Sequence, residues 1–427
     1  MQTGTPSEAA GMNAAEIEIR QRISQQGAIT FAEFMELALY HPEGYYSADS
    51  RIGARGDYFT SPSLHPTFGA LLAVQLKVMW DTLDRPHPFW VVESGVGGGH
   101  LATDIQSFAN VHMREFAKAL HYVEVDRSTR IQPTDVGPHT TYIQASCLPL
   151  AGMTGCILTN ELLDSFPVHR FRIADGQVQE MYVTLGSDGR FREEYCLPSN
   201  PRISDRLSTL PRQLPDGFCG EVNLSLEGWI SDAAAALDRG YVLTIDYGYE
   251  AAELYSDARP RGTLQTYYKH VDGSSPYQRV GRQDMTAHVD FSALIAEGLN
   301  AGLRPVFLTT QAEFLQSLGF DAMVASMGEQ KTDHLTKTAN LRAMNELVKP
   351  DGLGRFKVLV QEKNSGIERS SDLLPHAKHL TALRTPLMTA SHLYAEPDTR
   401  YRYEGNRAQS IKPSMRRLSN RVYRTIM

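Results

Sequence analysis

The chain has 427 residues, 42% of them hydrophobic and 21% charged, and a formal net charge of −7. That length has room for one large α/β domain with additions or for two domains, and the composition is that of an ordinary folded globular chain. The net negative charge argues against bulk nucleic-acid binding, and no apolar run approaches the ~20 residues needed to span a bilayer.

Residues 15–23 read as a short helix, and Thr30 with Glu33 forms a capping box that opens a second helix over 31–39. A loop dense in glycine, hydroxyls and aromatics, 52–62, precedes an apolar-striped helix over 68–80. Residues 89–92 are apolar, β-prone and bounded by Pro88, the pattern of a strand buried on both faces, and Glu93 ends it. Gly95, Gly97 and Gly99 follow at alternate positions, then an apolar stripe from Leu101 to Leu120 predicts a helix. Strand, glycine turn and helix in that order present a nucleotide at the carboxyl end of the first strand of an open α/β sheet. Glycine there permits positive φ and lets a ligand lie against bare backbone.

A second strand is expected over 120–125. Glu124 sits in it between two valines, near the strand end where nucleotide folds hold ribose hydroxyls; a surface acid is the alternative. Residues 141–143 and 155–159 read as the third and fourth strands, the fourth ending in Asn160, Glu161 and Asp164. Polar residues at the end of a central strand are where such sheets place chemistry. Alternation over 171–197 suggests an inserted antiparallel hairpin, followed by a proline-rich connector over 198–217. An alanine-rich helix over 225–237 is expected to stop at Gly240, before a fifth strand at 241–245 that ends in Asp246 and Tyr247. The 250–290 stretch reads as a long functional loop, and Asp290 as the cap of a helix to Ala301. A strand at 305–308, a helix at 311–318 and a strand at 356–361 complete the pattern, and the tail beyond 364 has no core pattern. The loops 53–62 and 262–270 are expected to cover the cleft.

Charge is unevenly spread: residues 364–427 carry a net +6 and residues 1–363 a net −13. An acidic body attracts basic peptide segments, or is plain solubilising surface. Cys147, Cys156, Cys196 and Cys219 make no C-x-x-C pair, so the spacing points to no metal site. The N-terminus lacks the order of a signal peptide, and Glu8, Glu16 and Glu18 precede Arg20, unlike an Arg-rich transit peptide. A cytoplasmic protein is expected, with the mitochondrial matrix as the alternative for a eukaryotic source.

A dinucleotide fingerprint beginning at Gly95 needs glycine at position 100, where His100 stands, so a NAD enzyme is disfavoured. The stretch Glu93-x-Gly95-x-Gly97-x-Gly99 instead resembles the first-strand signature of S-adenosylmethionine (SAM) methyltransferases. SAM carries an ammonium and a sulfonium, and a carboxylate at the strand end suits the ammonium. The motifs ALYHPEGYYS, IGARGDYFTSP, VVESGVGGGHLATDI, YVEVDRSTRIQ, TNELLDSFPVHRF, LTIDYGY, GTLQTYYKH, DMTAHVDFSAL and GRFKVLVQEK occur in that order from about Gly27 to Lys363. Together they resemble the methyltransferase family of mitochondrial complex I assembly factor 7 and its bacterial MidA-like relatives.

The resemblance implies a class I (Rossmann-like) methyltransferase α/β sheet over 81–363 with insertions at about 171–217 and 250–290. An N-terminal segment, 1–80, would pack over the cleft, and 364–427 would be a basic extension. It implies SAM as cofactor, held by Glu93, Gly95, Gly97, Gly99 and Glu124. It also implies a protein substrate presenting an arginine, met by Asn160, Glu161 and Asp164. Glu161 and Asp164 are the candidate grip on the guanidinium; acids that merely suit a helix dipole are the alternative. No metal, nucleic acid or membrane insertion is implied, and a homodimer is compatible with this organisation. The acid that many methyltransferases place after the third strand to hold adenine is missing, since Gln144-Ala-Ser-Cys147 stands there. Competing expectations are a SAM-binding assembly factor without turnover and a methyltransferase acting on a small molecule.

Overall fold

Along strand β1 (Phe89–Ser94), Phe89 and Val91 pack into one apolar cluster and Val92 into another. The same alternation runs through β2 (Leu120–Asp126), β4 (Met153–Asn160), β5 (Leu237–Asp246), β6 (Arg304–Thr310) and β7 (Lys357–Lys363), whereas β3 (Thr140–Gln144) packs only Ile143 against the second cluster. A sheet apolar on both faces must be covered on both. Helices Thr67–Thr82, His100–His112, Phe320–Glu329 and His334–Leu347 cover one face, and Ser225–Ala236 with Phe291–Asn300 cover the other. These are features of a computed structural model that describes residues 12–47, 60–128, 140–268, 271–273, 275–375 and 383–392.

The strand order is β6-β7-β5-β4-β1-β2-β3. Strands β1 to β5 pair in parallel, and β7 runs antiparallel to both β5 and β6. This is the doubly wound α/β sheet of the class I methyltransferases. The chain leaves β1 toward β2 on one side and reaches β4 on the other, so a crevice opens at the carboxyl ends of β1 and β4, where such sheets bind ligands. Toward the opposite, amino ends of these strands two glycines let the backbones pass closely. A Cβ on Gly155 would fall 1.9 Å from Trp90 O, and one on Gly240 would fall 2.0 Å from Gly155 O.

Several local expectations change. Strand β1 runs on through Glu93 to Ser94. The helix expected over 101–120 is two, His100–His112 and Arg114–Ala119, because Met113 leaves helical geometry at φ −137° and ψ 53°. Gly240 stops no helix. β5 begins at Leu237 and the glycine lies inside it, where only a bare backbone passes Gly155. The expected hairpin is three strands, His169–Ala174, Gln177–Leu185 and Phe191–Cys196, and the connector after it holds a helix, Pro201–Ser208. Asn200 caps that helix, Pro201 opens it and buried Ile203 anchors it, a signal legible in the sequence.

The 250–290 stretch is also structured, with short strands Gln265–Tyr268, Asp284–Thr286 and Val289–Asp290. Helices Phe320–Glu329 and His334–Leu347 have no counterpart in the sequence reading. The Thr30–Glu33 capping box and the Asp290 cap are present as expected. Helices Ala14–Gln26 and Phe31–Tyr40 pack Ile19, Phe31 and Phe34 against Met181 and Val183 of the inserted sheet and against Met285. Part of the tail joins the core as well, with Leu373 and His392 buried. Residues 53–59 of the first expected lid, 269–270 of the second, and 376–382 and 393–427 of the basic extension lie outside the described residues.

Candidate active site

Past β1 the backbone turns through Gly95, Gly97 and Gly99 at φ +79°, +59° and +71°, and Gly99 opens helix His100–His112. These are left-handed conformations that side chains resist. Gly95 N–H donates to Val125 O at 2.9 Å, and Val96 N–H to Asp126 Oδ2 at 3.0 Å. The turn is thus tied to the end of β2. Asp126 also accepts from Ser128 N–H at 2.8 Å. The sequence reading missed this residue, although an aspartate closing the strand two residues beyond Glu124 was a usable signal.

Glu93 and Glu124 are register partners on β1 and β2 and are 3% and 0% exposed. Tyr122 donates its hydroxyl to Glu93 Oε2 at 2.7 Å. Burial pushes the Glu93 carboxyl up to about 8, against the Tyr122 bond, and the Glu124 and Asp126 charges add to the rise. Carboxyls buried side by side in this way suit a ligand that brings a cation and hydrogen-bond donors. SAM offers an ammonium and two ribose hydroxyls, so the residues present fit it. His100, in the place of a third fingerprint glycine, points to the tail: its Nε2 is 3.1 Å from Ser391 O.

The second group gathers after β4. Asn160 Nδ2 donates to Glu161 Oε1 at 3.0 Å, and Ser61 N–H donates to the same oxygen at 3.2 Å. Glu161 itself holds φ +53°, an uncommon conformation for a residue with a side chain. Its N–H donates to Ile245 O at 2.9 Å, which fixes the turn against β5. The short helix Leu163–Ser165 follows and carries Asp164. Asp246, at the end of β5, accepts Leu163 N–H at 2.8 Å and Tyr247 N–H at 2.8 Å. Tyr247 donates its hydroxyl to Asp164 Oδ2. Tyr40 reaches in from the N-terminal helix, its hydroxyl 3.0 Å from Ser165 O.

Burial pushes Glu161 up to about 8, and the Asp164 charge adds to it. Burial likewise raises Asp164 to about 6, against the bond from Tyr247. Asp164 Oδ1 and Asn160 Oδ1 are buried and accept no hydrogen bond. The two groups touch, since a Cβ on Gly95 would fall 2.8 Å from Leu162 Cδ1. The structure therefore brings the glycine turn, Glu93 and Glu124 beside Asn160, Glu161 and Asp164 at one end of β1 and β4. Among the described residues no cluster of histidine, cysteine or carboxylate groups could hold a metal ion.

Residues 71–308 match the family described as S-adenosyl-L-methionine-dependent methyltransferases. The mitochondrial protein arginine methyltransferase NDUFAF7 homolog of Drosophila melanogaster is 28% identical over 302 residues, 64% of this chain and 67% of that one. The mitochondrial protein arginine methyltransferase NDUFAF7 of Rattus norvegicus is 26% identical over 363 residues, 78% of this chain and 80% of that one. Among solved structures, a COG1565 superfamily member from Burkholderia thailandensis bound to S-adenosyl-homocysteine superposes with a TM-score of 0.76 at 26% identity, covering 87% of this chain and 97% of that one. The mitochondrial names of the curated relatives lend no support to a cytoplasmic location.

Proposed function

The chain belongs to this family of S-adenosyl-L-methionine-dependent methyltransferases, and we propose that the group it methylates is an arginine guanidinium in a partner protein. One observation carries the reading: Asp164 Oδ1 and Asn160 Oδ1 are buried acceptors with no donor, beside a Glu161 carboxyl that burial holds near neutrality. A guanidinium has five N–H donors and no acceptor, and its planar fork matches a pair of carboxylates. The curated relatives named protein arginine methyltransferases support the same acceptor.

When bound, SAM supplies a methyl group activated on a sulfonium. In this reading Glu93 takes its ammonium, Glu124 its ribose hydroxyls, and the bare backbone at Gly95, Gly97 and Gly99 lets it lie close. Asp126 holds the turn in shape. Glu161 and Asp164 grip the acceptor from one side, draw its positive charge toward them and leave the opposite nitrogen free to attack. Tyr247 and Asp246 keep Asp164 aimed. Alignment of this kind is the main contribution an enzyme makes to a displacement reaction. In a eukaryotic cell the mitochondrion is the compartment that the relatives' names support.

The test is incubation of the purified chain with radiolabelled SAM and a cell extract, followed by identification of the labelled residue. Label on arginine is expected. Label only on a small molecule, or none despite measured SAM binding, overturns the acceptor assignment.

A further inference from the structure

Half-buried His288 stands out among the side chains that the foregoing leaves without a role. Both of its ring nitrogens, Nδ1 and Nε2, are sealed from solvent, and neither has a hydrogen-bond partner. A buried imidazole normally bonds through at least one nitrogen, because leaving it unpaired costs ~1–3 kcal/mol. Its backbone, by contrast, is held on both sides and at its own N–H. Ala287 N–H donates to Asp164 O at 2.9 Å and Val289 N–H to Tyr247 O at 3.0 Å. His288 N–H donates to Thr263 Oγ1 at 3.0 Å, and that hydroxyl donates to the buried Glu221. The chain therefore fixes the backbone of this segment beside Asp164 and Tyr247 and still gives the ring no hydrogen bond.

The ring lies edge-on to Tyr247, centroids 5.2 Å apart, and tilted against Tyr249 at 5.3 Å. Tyr247 is the residue whose hydroxyl holds Asp164. Burial, with Arg259 and Arg355 adding to it, lowers the imidazole to about 3, so the ring is neutral and one nitrogen keeps a free lone pair.

We propose that His288 is a further catalytic residue: its free imidazole nitrogen accepts an N–H of the acceptor guanidinium and takes the proton that methylation releases. The assignment rests on arginine being the acceptor. Methylation replaces one N–H by N–CH3, and the S–CH3 bonding pair stays on sulfur as a neutral thioether. The guanidinium begins and ends with one positive charge, so the charge of the sulfonium must leave as one proton. The N–H bonding pair stays on nitrogen and the proton passes to the imidazole, which later loses it to solvent. A weak base suffices, because a nitrogen that carries both a new methyl and its old proton on a cationic carbon is far more acidic than an imidazolium. The carboxylates of Glu161 and Asp164 are then free to remain anions paired with the guanidinium.

The test uses the full-length chain in two ways. With ring-labelled histidine, NMR of the wild type should show the His288 nitrogens shifting when an arginine peptide is added with S-adenosyl-homocysteine, and not with the corresponding lysine peptide. In steady-state methylation of the arginine peptide, His288→Gln should keep KM within about threefold and lower kcat at least tenfold, since glutamine accepts a hydrogen bond but not a proton. An unmoved His288 signal, or a His288→Gln kcat equal to wild type, overturns the assignment while leaving the acceptor reading in place. Wild-type protein that methylates no arginine peptide, yet binds SAM, overturns the acceptor reading and this assignment with it.

Discussion

Asp246 accepts the N–H of Leu163 at 2.8 Å, so the last residue of one strand sets the turn that follows its neighbour. Through that bond, and through Tyr247 on Asp164, the β5 end decides where the acceptor carboxylates point. Asp246→Asn keeps the shape but turns one oxygen into a donor facing a backbone N–H. The expected cost is ~1–3 kcal/mol of stability in denaturant unfolding. SAM affinity by calorimetry should stay within a few-fold. A large loss of SAM binding with normal stability would place Asp246 in the cofactor site instead.

Cofactor binding should strengthen with pH. The Glu93 carboxyl sits at about 8 rather than 4.5, so it carries a proton at neutrality. Pairing with an ammonium needs the anion, so binding releases a proton and weakens by up to about 1.4 kcal/mol for each pH unit below about pH 8. Calorimetry in buffers of different ionisation heat measures that proton. Glu93→Gln should bind weakly with a flat pH dependence. Without ligand the sign reverses for stability: a carboxyl raised in the fold contributes stability present at acid pH and lost as pH climbs to about 8.

In the glycine turn, Gly97 holds φ +59°, a left-handed conformation that a β-branched side chain resists. Gly97→Val should abolish SAM binding while the fold persists by circular dichroism. Glu124→Ala should weaken binding by ~1.5–3 kcal/mol if its carboxylate accepts ribose hydroxyls. Unchanged affinity would leave Glu124 a structural neighbour of Glu93.

Glu161→Gln separates the two halves of the site. SAM affinity should change only a few-fold, whereas single-turnover transfer to an arginine peptide should fall by ~1.5–3 kcal/mol, roughly ten- to a hundredfold. A lysine peptide should be inert, since an ammonium cannot fill a two-pronged site. Transfer at the wild-type rate would reduce Glu161 to an acid that shapes its own turn.

Packing at the sheet centre yields a prediction about folding. Gly155→Ala sets a methyl 1.9 Å from Trp90 O, where no side chain can move aside. The cost should reach ~1–3 kcal/mol or more in chemical denaturation. An unaltered midpoint would mean that β1 and β4 can part without penalty.

Sequence by itself determined the parts whose signals are local. The apolar run ending in Glu93, the alternate glycines and the carboxylates after the fourth strand are each read from neighbours a few residues apart. So are the caps at Thr30 and Asp290. Nine motifs in order added the family. Tertiary structure alone decided what depends on distant segments meeting. Gly240 reads as a helix stop in sequence, yet it lies inside β5 because Gly155, 85 positions earlier, needs the space. Asp126 ties down the glycine turn only because β1 and β2 pair in parallel. Tyr247 meets Asp164, and His288 settles beside both, only once β4, β5 and the 284–290 strands converge. Hydrophobic period and turn chemistry act over a few residues, whereas the charge state and free valences of a site are set by burial, which exists only after the chain has folded.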